Sequence, residues 1–359
     1  MRALLLLALT AIIIVAQDHP SSKLSGQTLD LTSEPAVIQP EQQSAILYLQ
    51  KDLDQTATDH VYVPNDVENE CIYKVSQSSI DTDVHSSIQK IINESSCSSI
   101  EISLIDKEHD EQVNISRRMS IAIDVDARNT ENELIPTIWK VQRYYSQIIS
   151  LQDSNLTLCN IAFQFTIVYS YGNLVVSPSN SIFYLSNNNS NLTVKNCIFK
   201  GFGLNRTEIG SIAYSYISNQ LEFDNCTFSD IVGRNALNIT DCSQFIAKNC
   251  KFTDIVGRYY SGAIYFYCSS TKSVTYDISG CNFERCSNEQ RDNSRNISGA
   301  INIRNMYESQ APIFKINNNY FKDCLGSNRG CINIEYVTAY ILEVQNNTFD
   351  GNRILSSNT

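Results

Sequence analysis

Residues 221–228 read LEFDNCTF, and the same eight-place pattern recurs as LTLCNIAF (156–163), LTVKNCIF (192–199), FIAKNCKF (245–252), YDISGCNF (276–283), FKINNNYF (314–321) and LEVQNNTF (342–349). The terminal phenylalanines lie 24 to 38 residues apart. The fifth place is held by Asn160, Asn196, Asn225, Asn249, Gly280, Asn318 and Asn346. Asn and Gly enter the left-handed region of backbone space cheaply, so this place is a one-residue corner. Apolar residues alternate before it (Leu221, Phe223) and after it (Cys226, Phe228), the period of a strand with one face turned inward. Two strands meet at the corner, and Asn side chains stacked in successive coils can pass hydrogen bonds along the stack.

A second pattern lies between the copies of the first: NSIFY from Asn180, GSIAY from Gly210, NALNI from Asn235, GAIYF from Gly262, GAINI from Gly299 and GCINI from Gly330. Its opening Gly or Asn suggests a second left-handed corner. Its third and fifth places (Ile212, Tyr214; Leu237, Ile239; Ile264, Phe266) are expected to face inward. A repeat with two strands per circuit and tolerant corners predicts an all-β fold, a right-handed single-stranded parallel β-helix with coils stacked at roughly 4.8 Å. A leucine-rich repeat needs a different Leu and Asn spacing, and a β-propeller needs four antiparallel strands per blade.

The β-helix is expected over 96–352, regular from about 180, with irregular early coils at SSIEISLID (98–106), VNIS (113–116) and MSIAIDVD (119–126). VHSSIQKIIN (84–93) places Val84, Ile88, Ile91 and Ile92 at helical spacing behind Asp83, a candidate N-cap, and predicts an N-terminal capping helix. The region 17–95 is otherwise expected to be partly irregular, with one short helical candidate, SAILYLQKDL (44–53), and 353–359 reads as a polar tail.

Residues 1–16 read as a secretory signal peptide, with Arg2, an apolar run from Ala3 to Val15, and Ala16 before a polar stretch. The run is too short to span a bilayer and no later stretch is long enough, so no membrane span is expected. A secreted or cell-surface location follows as the expectation. The formal net charge of −11 argues against nucleic acid as a partner. Ten sequons, at Asn93, Asn114, Asn155, Asn188, Asn191, Asn205, Asn225, Asn238, Asn296 and Asn346, fit a glycoprotein of a eukaryotic secretory route.

The SGAI motifs at 261–264 and 298–301 and FDGN at 349–352 resemble the repeats of the polymorphic outer membrane proteins of chlamydiae and the β-helix surface proteins of trichomonad parasites, within the wider pectin-lyase-like superfamily. The likeness covers about residues 180–352. It departs from the family pattern where the third residue after Phe is Phe202, Ile231, Ile255, Cys286 or Cys324. The resemblance implies a surface or secreted adhesion-type protein rather than an enzyme.

Chemistry bears on the alternatives. Hydrolases of this superfamily resembling polygalacturonases use Asp and His on the strand face, but His19, His60, His85 and His109 all precede the regular coils. Lyases using Ca²⁺ and a basic residue need clustered carboxylates. The outward columns instead alternate: Lys195, Asp224, Lys248 in one, and Thr193, Glu222, Ile246, Asp277, Lys315, Glu343 in the next. Asp124 and Asp126 would share one strand face, a weak metal hint. No catalytic residue, metal site or cofactor is assigned, and the residues lean away from an enzyme.

Cys197, Cys226, Cys250 and Cys281 share one inward place, Cys242 and Cys268 another, and Cys286 and Cys324 a third. Secretion favours disulfides, whereas in-register stacking suits a buried thiol ladder; both stay open. A recurrent arginine (Arg206, Arg234, Arg258, Arg295, Arg329) precedes the second strand, with Tyr259, Tyr260, Tyr265 and Tyr267 nearby. Stacking would align these into a basic, aromatic edge for an acidic glycan or a host or matrix surface. The leading expectation is therefore a noncatalytic adhesion or glycan-binding protein, the alternatives being a polysaccharide lyase or hydrolase and a structural coat component.

Overall fold

The corner residues carry the architecture. In the computed structural model, Asn160, Asn196, Asn225, Asn249, Gly280, Asn318 and Asn346 have φ between 51° and 65°. The structure describes residues 70–79, 81–128, 132–142, 147–166, 181–201, 210–258, 260–268, 274–288, 297–305, 312–327, 329–336 and 341–354. All of these belong to the compact unit 67–359. Residues 1–16, read above as a signal peptide, the helical candidate 44–53 and residues 355–359 lie outside the described residues.

Each circuit contributes a strand to each of several parallel sheets. The first pattern's leading strands form a ten-stranded sheet from Glu70–Val75 to Ile341–Gln345, and its trailing strands a nine-stranded sheet from Glu108–His109 to Thr348–Asp350. The second pattern forms an eight-stranded sheet from Val113–Ile115 to Ile332–Tyr336. Short strands from Val232–Gly233 to Arg353–Ile354 make a five-stranded sheet. Successive circuits pair in parallel, and the twist of the strands makes such connections right-handed. The chain is a parallel β-helix. Among the described residues its pairing already includes Glu70–Val75 against Ser99–Leu104, well before position 96.

The core is a column of aromatic rings. Trp139, Phe163, Phe199, Phe228, Phe252, Phe283, Phe321 and Phe349 follow one another with centroids 4.5 to 5.6 Å apart. From Phe163 onward adjacent planes are within 14° of parallel. The strand spacing imposes this offset stacking, since each ring sits one coil above the last.

Two details of the second pattern differ from expectation. Its opening Gly residues do not adopt left-handed angles. The second corner falls two residues after the ladder Phe instead, at Asp230, Asp254, Arg285, Asp323 and Gly351, with φ between 51° and 63°. Glycine is needed at the pattern's opening for closeness: a Cβ on Gly262 would stand 2.0 Å from the Gly299 carbonyl oxygen, and one on Gly299 2.7 Å from the Leu325 nitrogen. Also, the copies from Asn180 and Gly210 lie one residue out of step with the rest. Phe183 pairs with Ala213, Ala213 with Leu237 and Leu237 with Ile264. Tyr214, expected to face inward, therefore shares the outer column with Tyr184, Asn238 and Tyr265. A phenol turned into a dry core needs a partner, so Phe183 goes in and Tyr184 out. Tyr276 is the inward exception, and its hydroxyl meets Cys268 Sγ at 3.0 Å.

The capping helix is shorter than the sequence reading. It runs Ile88–Glu94 behind Ser87, not Asp83, and buries Ile88, Ile91 and Ile92. Ser87 Oγ accepts from Lys90 N at 3.1 Å. Glu111, arriving from the solenoid, accepts from Ser87 Oγ (2.6 Å), Ile88 N (2.9 Å) and Gln89 N (2.9 Å), and contacts His109 Nε2 at 3.1 Å. The carboxylate thus satisfies amides that a helix start leaves unpaired. Burial alone would raise its pKa, but the bonds from His109, Ser87, Gln89 and Ile88 outweigh burial and hold it below the ordinary value of 4.5. A lowered folded pKa stabilises above the unfolded value and is lost as pH falls through the folded one. Glu111→Gln should therefore cost about 1–3 kcal/mol near neutral pH, a difference that fades in denaturation curves taken below pH 4. An equal loss at all pH values would show that shape rather than charge matters here.

Candidate binding surface

The outer face of the eight-stranded sheet gathers the aromatic and basic residues. Its central column, in register, is Ser150, Tyr184, Tyr214, Asn238, Tyr265, Asn302 and Asn333; Tyr184 and Tyr214 are half-buried, and Asn238, Tyr265, Asn302 and Asn333 are buried. The Tyr184 and Tyr214 rings stack 5.9 Å apart and 4° from parallel. Arg234 sets its guanidinium carbon 5.9 Å from the Tyr214 ring centroid, within cation–π range. Further along, Tyr260 stacks on Tyr265 at 4.5 Å. Asn302 Nδ2 donates to the Tyr260 carbonyl at 2.7 Å and Asn333 Nδ2 to Asn302 Oδ1 at 3.1 Å. The neighbouring column is Thr240, Tyr267, Arg304 and Glu335, the last two 3.7 Å apart. Burial, reinforced by Tyr260, raises the Tyr265 phenol well above its usual pKa despite nearby Arg304, so it stays a neutral donor.

The proposed arginine row is only partly assembled. Pairing of Val232–Gly233 with Val256–Gly257 sets Arg234 beside Arg258, whose amide donates to Gly233 O at 2.8 Å. Arg329 precedes Gly330, but the equivalent places before Gly262 and Gly299 hold the buried Ser261 and Ser298. The described arginines therefore do not make one continuous row. Return segments of different length bring the arginines into the sheet at different places. Arg206, Tyr259 and Arg295 lie outside the described residues.

The cysteine columns sit just inside the corners. Cys197, Cys226, Cys250, Cys281, Cys242, Cys268, Cys286 and Cys324 are all buried free thiols. In each corner column the thiol points at the carbonyl three residues back in the preceding coil's frame: Cys226 at Val194 O (3.4 Å), Cys250 at Phe223 O (3.4 Å), Cys281 at Ala247 O (3.4 Å) and Cys324 at Phe283 O (3.4 Å). The last coils use asparagine for the same task. Asn319 Nδ2 reaches Ile278 O at 2.9 Å, Asn347 Nδ2 reaches Ile316 O at 2.6 Å and Asn352 Nδ2 reaches Phe321 O at 2.9 Å. These thiols are thus weak hydrogen-bond donors in a corner slot that Asn also fills. Burial pushes Cys242 up to about 11 and Cys268 and Cys331 up to about 12, which keeps them protonated and unreactive. Cys281→Asn is expected to hold stability within about 1 kcal/mol. Cys281→Ala, which removes a buried thiol together with its contact to the Ala247 carbonyl, should cost about 1–3 kcal/mol in urea melts; the reverse order would overturn this role. The disulfide present, Cys71–Cys97, ties the first strand of the ten-stranded sheet to the segment entering the second, a pairing not foreseen from the repeat.

Other candidates resolve as structural contacts. Asp124 Oδ1 accepts from Asn160 Nδ2 at 2.8 Å, and Asp126 pairs with Arg128 at 3.2 Å. Among the described residues no group of three or more His, Cys, Asp or Glu could hold a metal ion. His85 stacks edge-on with Tyr73, and His109 with Trp139. Across the ten-stranded face, Thr193, Glu222, Ile246, Asp277, Lys315 and Glu343 stand in register, as do Lys195, Asp224 and Lys248. Lys315 and Glu343 approach to 3.9 Å. Charges of opposite sign thus neighbour one another, an arrangement for solvating a sheet.

Sequence reading missed Tyr184, Tyr214, Arg304, Asn302 and Asn333 as members of this surface. The signal was present in the alignment of the second pattern, once Tyr184 and Tyr214 are placed with Asn238 and Tyr265.

The sheets define the class, a single-stranded parallel β-helix, the architecture of pectin-lyase-like proteins, with an aromatic and basic outer surface. No family model matches the chain, and no curated protein matches it. Among solved structures it is similar to the pectin methylesterase of Aspergillus niger in deglycosylated form, at 14% identity and a TM-score of 0.43, over 80% of this chain and 88% of that one. The fold assignment rests on the parallel sheets themselves.

Proposed function

We propose that this chain is a noncatalytic, secreted or surface-displayed β-helix protein that binds an acidic glycan through the outer face of its eight-stranded sheet. The observation that carries this reading is the half-exposed group on that face: stacked Tyr184 and Tyr214 with Arg234 over the ring, then Tyr260, backed by the buried Tyr265, with Arg304 beside them. Aromatic faces take the apolar faces of sugar rings, and guanidinium groups take carboxylates or sulfates in fork geometry. On a chain of net charge −11, such a strip is where an anionic polymer meets least repulsion.

The test is retention on immobilised uronate-containing polysaccharide over a salt gradient. The unmodified protein should be retained and released by salt, and Tyr214→Ala, Arg234→Ala and Arg258→Ala should each elute earlier. Retention unchanged by all three would remove the reading. Incubation with the same polysaccharides separates the enzymatic alternative, because release of unsaturated or reducing ends would make the chain a lyase or hydrolase.

A further inference from the structure

The sequons are not equivalent in the folded chain. Asn238, in the sequon Asn238-Ile239-Thr240, lies on the candidate binding surface but is only 2% exposed, in register between Tyr214 and Tyr265. An oligosaccharide on its amide would have to leave between rings on adjacent strands, about 4.8 Å to either side. Asn93 Oδ1 accepts from Gln89, and Asn114 Oδ1 from Ser150. Asn155 and Asn191 belong to one amide ladder running from Ser120 to Asn219, with Asn191 Nδ2 donating to Asn155 Oδ1 at 2.6 Å and Asn219 Nδ2 to Asn191 Oδ1 at 2.8 Å. Asn225 Nδ2 donates to Asn196 Oδ1 at 2.9 Å. Asn346 occupies a left-handed corner, φ 54°.

Asn188 differs from all of these. It is exposed, in the turn between Ser181–Leu185 and Asn191–Lys195, and its two neighbours hold that turn in shape without it. Asn187 Oδ1 accepts from Asn189 N at 3.1 Å, and Asn189 Nδ2 donates to Asp153 Oδ1 at 2.9 Å. Ser190, the third residue of the sequon, is buried and its Oγ donates to Leu151 O at 3.3 Å, so the turn's base is fixed while its tip faces solvent.

We infer that Asn188 carries an N-linked oligosaccharide and that Asn238 does not. The donor is a lipid-pyrophosphate-linked oligosaccharide. The Asn188 amide nitrogen forms a bond to the anomeric carbon and loses one proton to base, and the bond from that carbon to the pyrophosphate oxygen breaks, with the lipid pyrophosphate leaving. Transfer precedes complete folding, so a chain modified at Asn238 fails to close its coil and is missing from the secreted pool. The inference rests on the chain's entering the secretory route, independently of what the eight-stranded face binds.

The full chain should be secreted from a eukaryotic host, once with its own leader and once behind an unrelated one, and treated with peptide-N-glycosidase in heavy-oxygen water. Peptide mass spectrometry then reads each Asn converted to Asp. Conversion is expected at Asn188 and not at Asn238, with Asn188→Gln removing one glycan's worth of mass from the secreted protein. Secreted protein unmodified at Asn188 under both leaders, or converted at Asn238, overturns the inference. Modification behind the unrelated leader alone would support the site and overturn the leader reading of residues 1–16.

Discussion

Phe252→Ala is expected to destabilise the solenoid by about 3–5 kcal/mol, the range for removing a fully buried aromatic side chain. Phe252 is fully buried and stacks on Phe228 at 4.5 Å and on Phe283 at 4.8 Å, both within 2° of parallel. Truncation leaves a gap inside a column whose neighbours are fixed by their own strands, so little can collapse into it. The comparison is Phe349→Ala. Phe349 ends the described column at 52% exposure, contacts one ring instead of two, and should cost under about half as much. Urea denaturation of both variants reads the difference, and similar costs would show that the column does not work as a shared core.

Gly262→Ala is the second large effect, and it should act through the backbone alone. A Cβ there meets the Gly299 carbonyl oxygen at 2.0 Å and the Ser287 carbonyl oxygen at 2.7 Å, so one coil must move off the next. Overpacking between backbones that cannot yield is expected to cost about 3 kcal/mol or more. Gly330 holds the equivalent place in the last coil and meets nothing within 4 Å, so Gly330→Ala should stay within about 0.5 kcal/mol. Thermal melts of the pair check this. Equal losses would mean that glycine serves this place through chain flexibility and not through closeness.

The contrast between those glycines also explains how far the sequence could be read. The corner at Asn196, Asn225 and Asn249 is legible because one residue type answers one backbone requirement, a positive φ. The opening glycines of the second pattern answer a different requirement, proximity to the next coil, and composition alone does not separate the two. The second corner at Asp230, Asp254, Arg285, Asp323 and Gly351 carries a weaker signature: Asp also enters left-handed angles more readily than most residues, but Arg285 breaks the column. Tyr214 falls on the wrong face in the sequence reading, and Tyr184 goes unnoticed, for a related reason: a one-residue shift in a period-two pattern exchanges the faces of the strand. The strand Glu70–Val75 lies before any repeat copy and is recognised only by its partner, Ser99–Leu104. Of the described arginines, Arg234 and Arg258 come together and Arg329 enters at a different place, since where return segments vary in length alignment along the chain does not mean alignment in space.

Trp139, the chain's single tryptophan, sits near one end of the aromatic column, fully buried between His109 and Phe163. Its fluorescence therefore reports the melting of the early coils and is blind to those that follow Phe199. Coils that touch only their neighbours can come apart in stages. A fluorescence transition displaced from the circular dichroism transition would locate the weaker end of the solenoid without any added label.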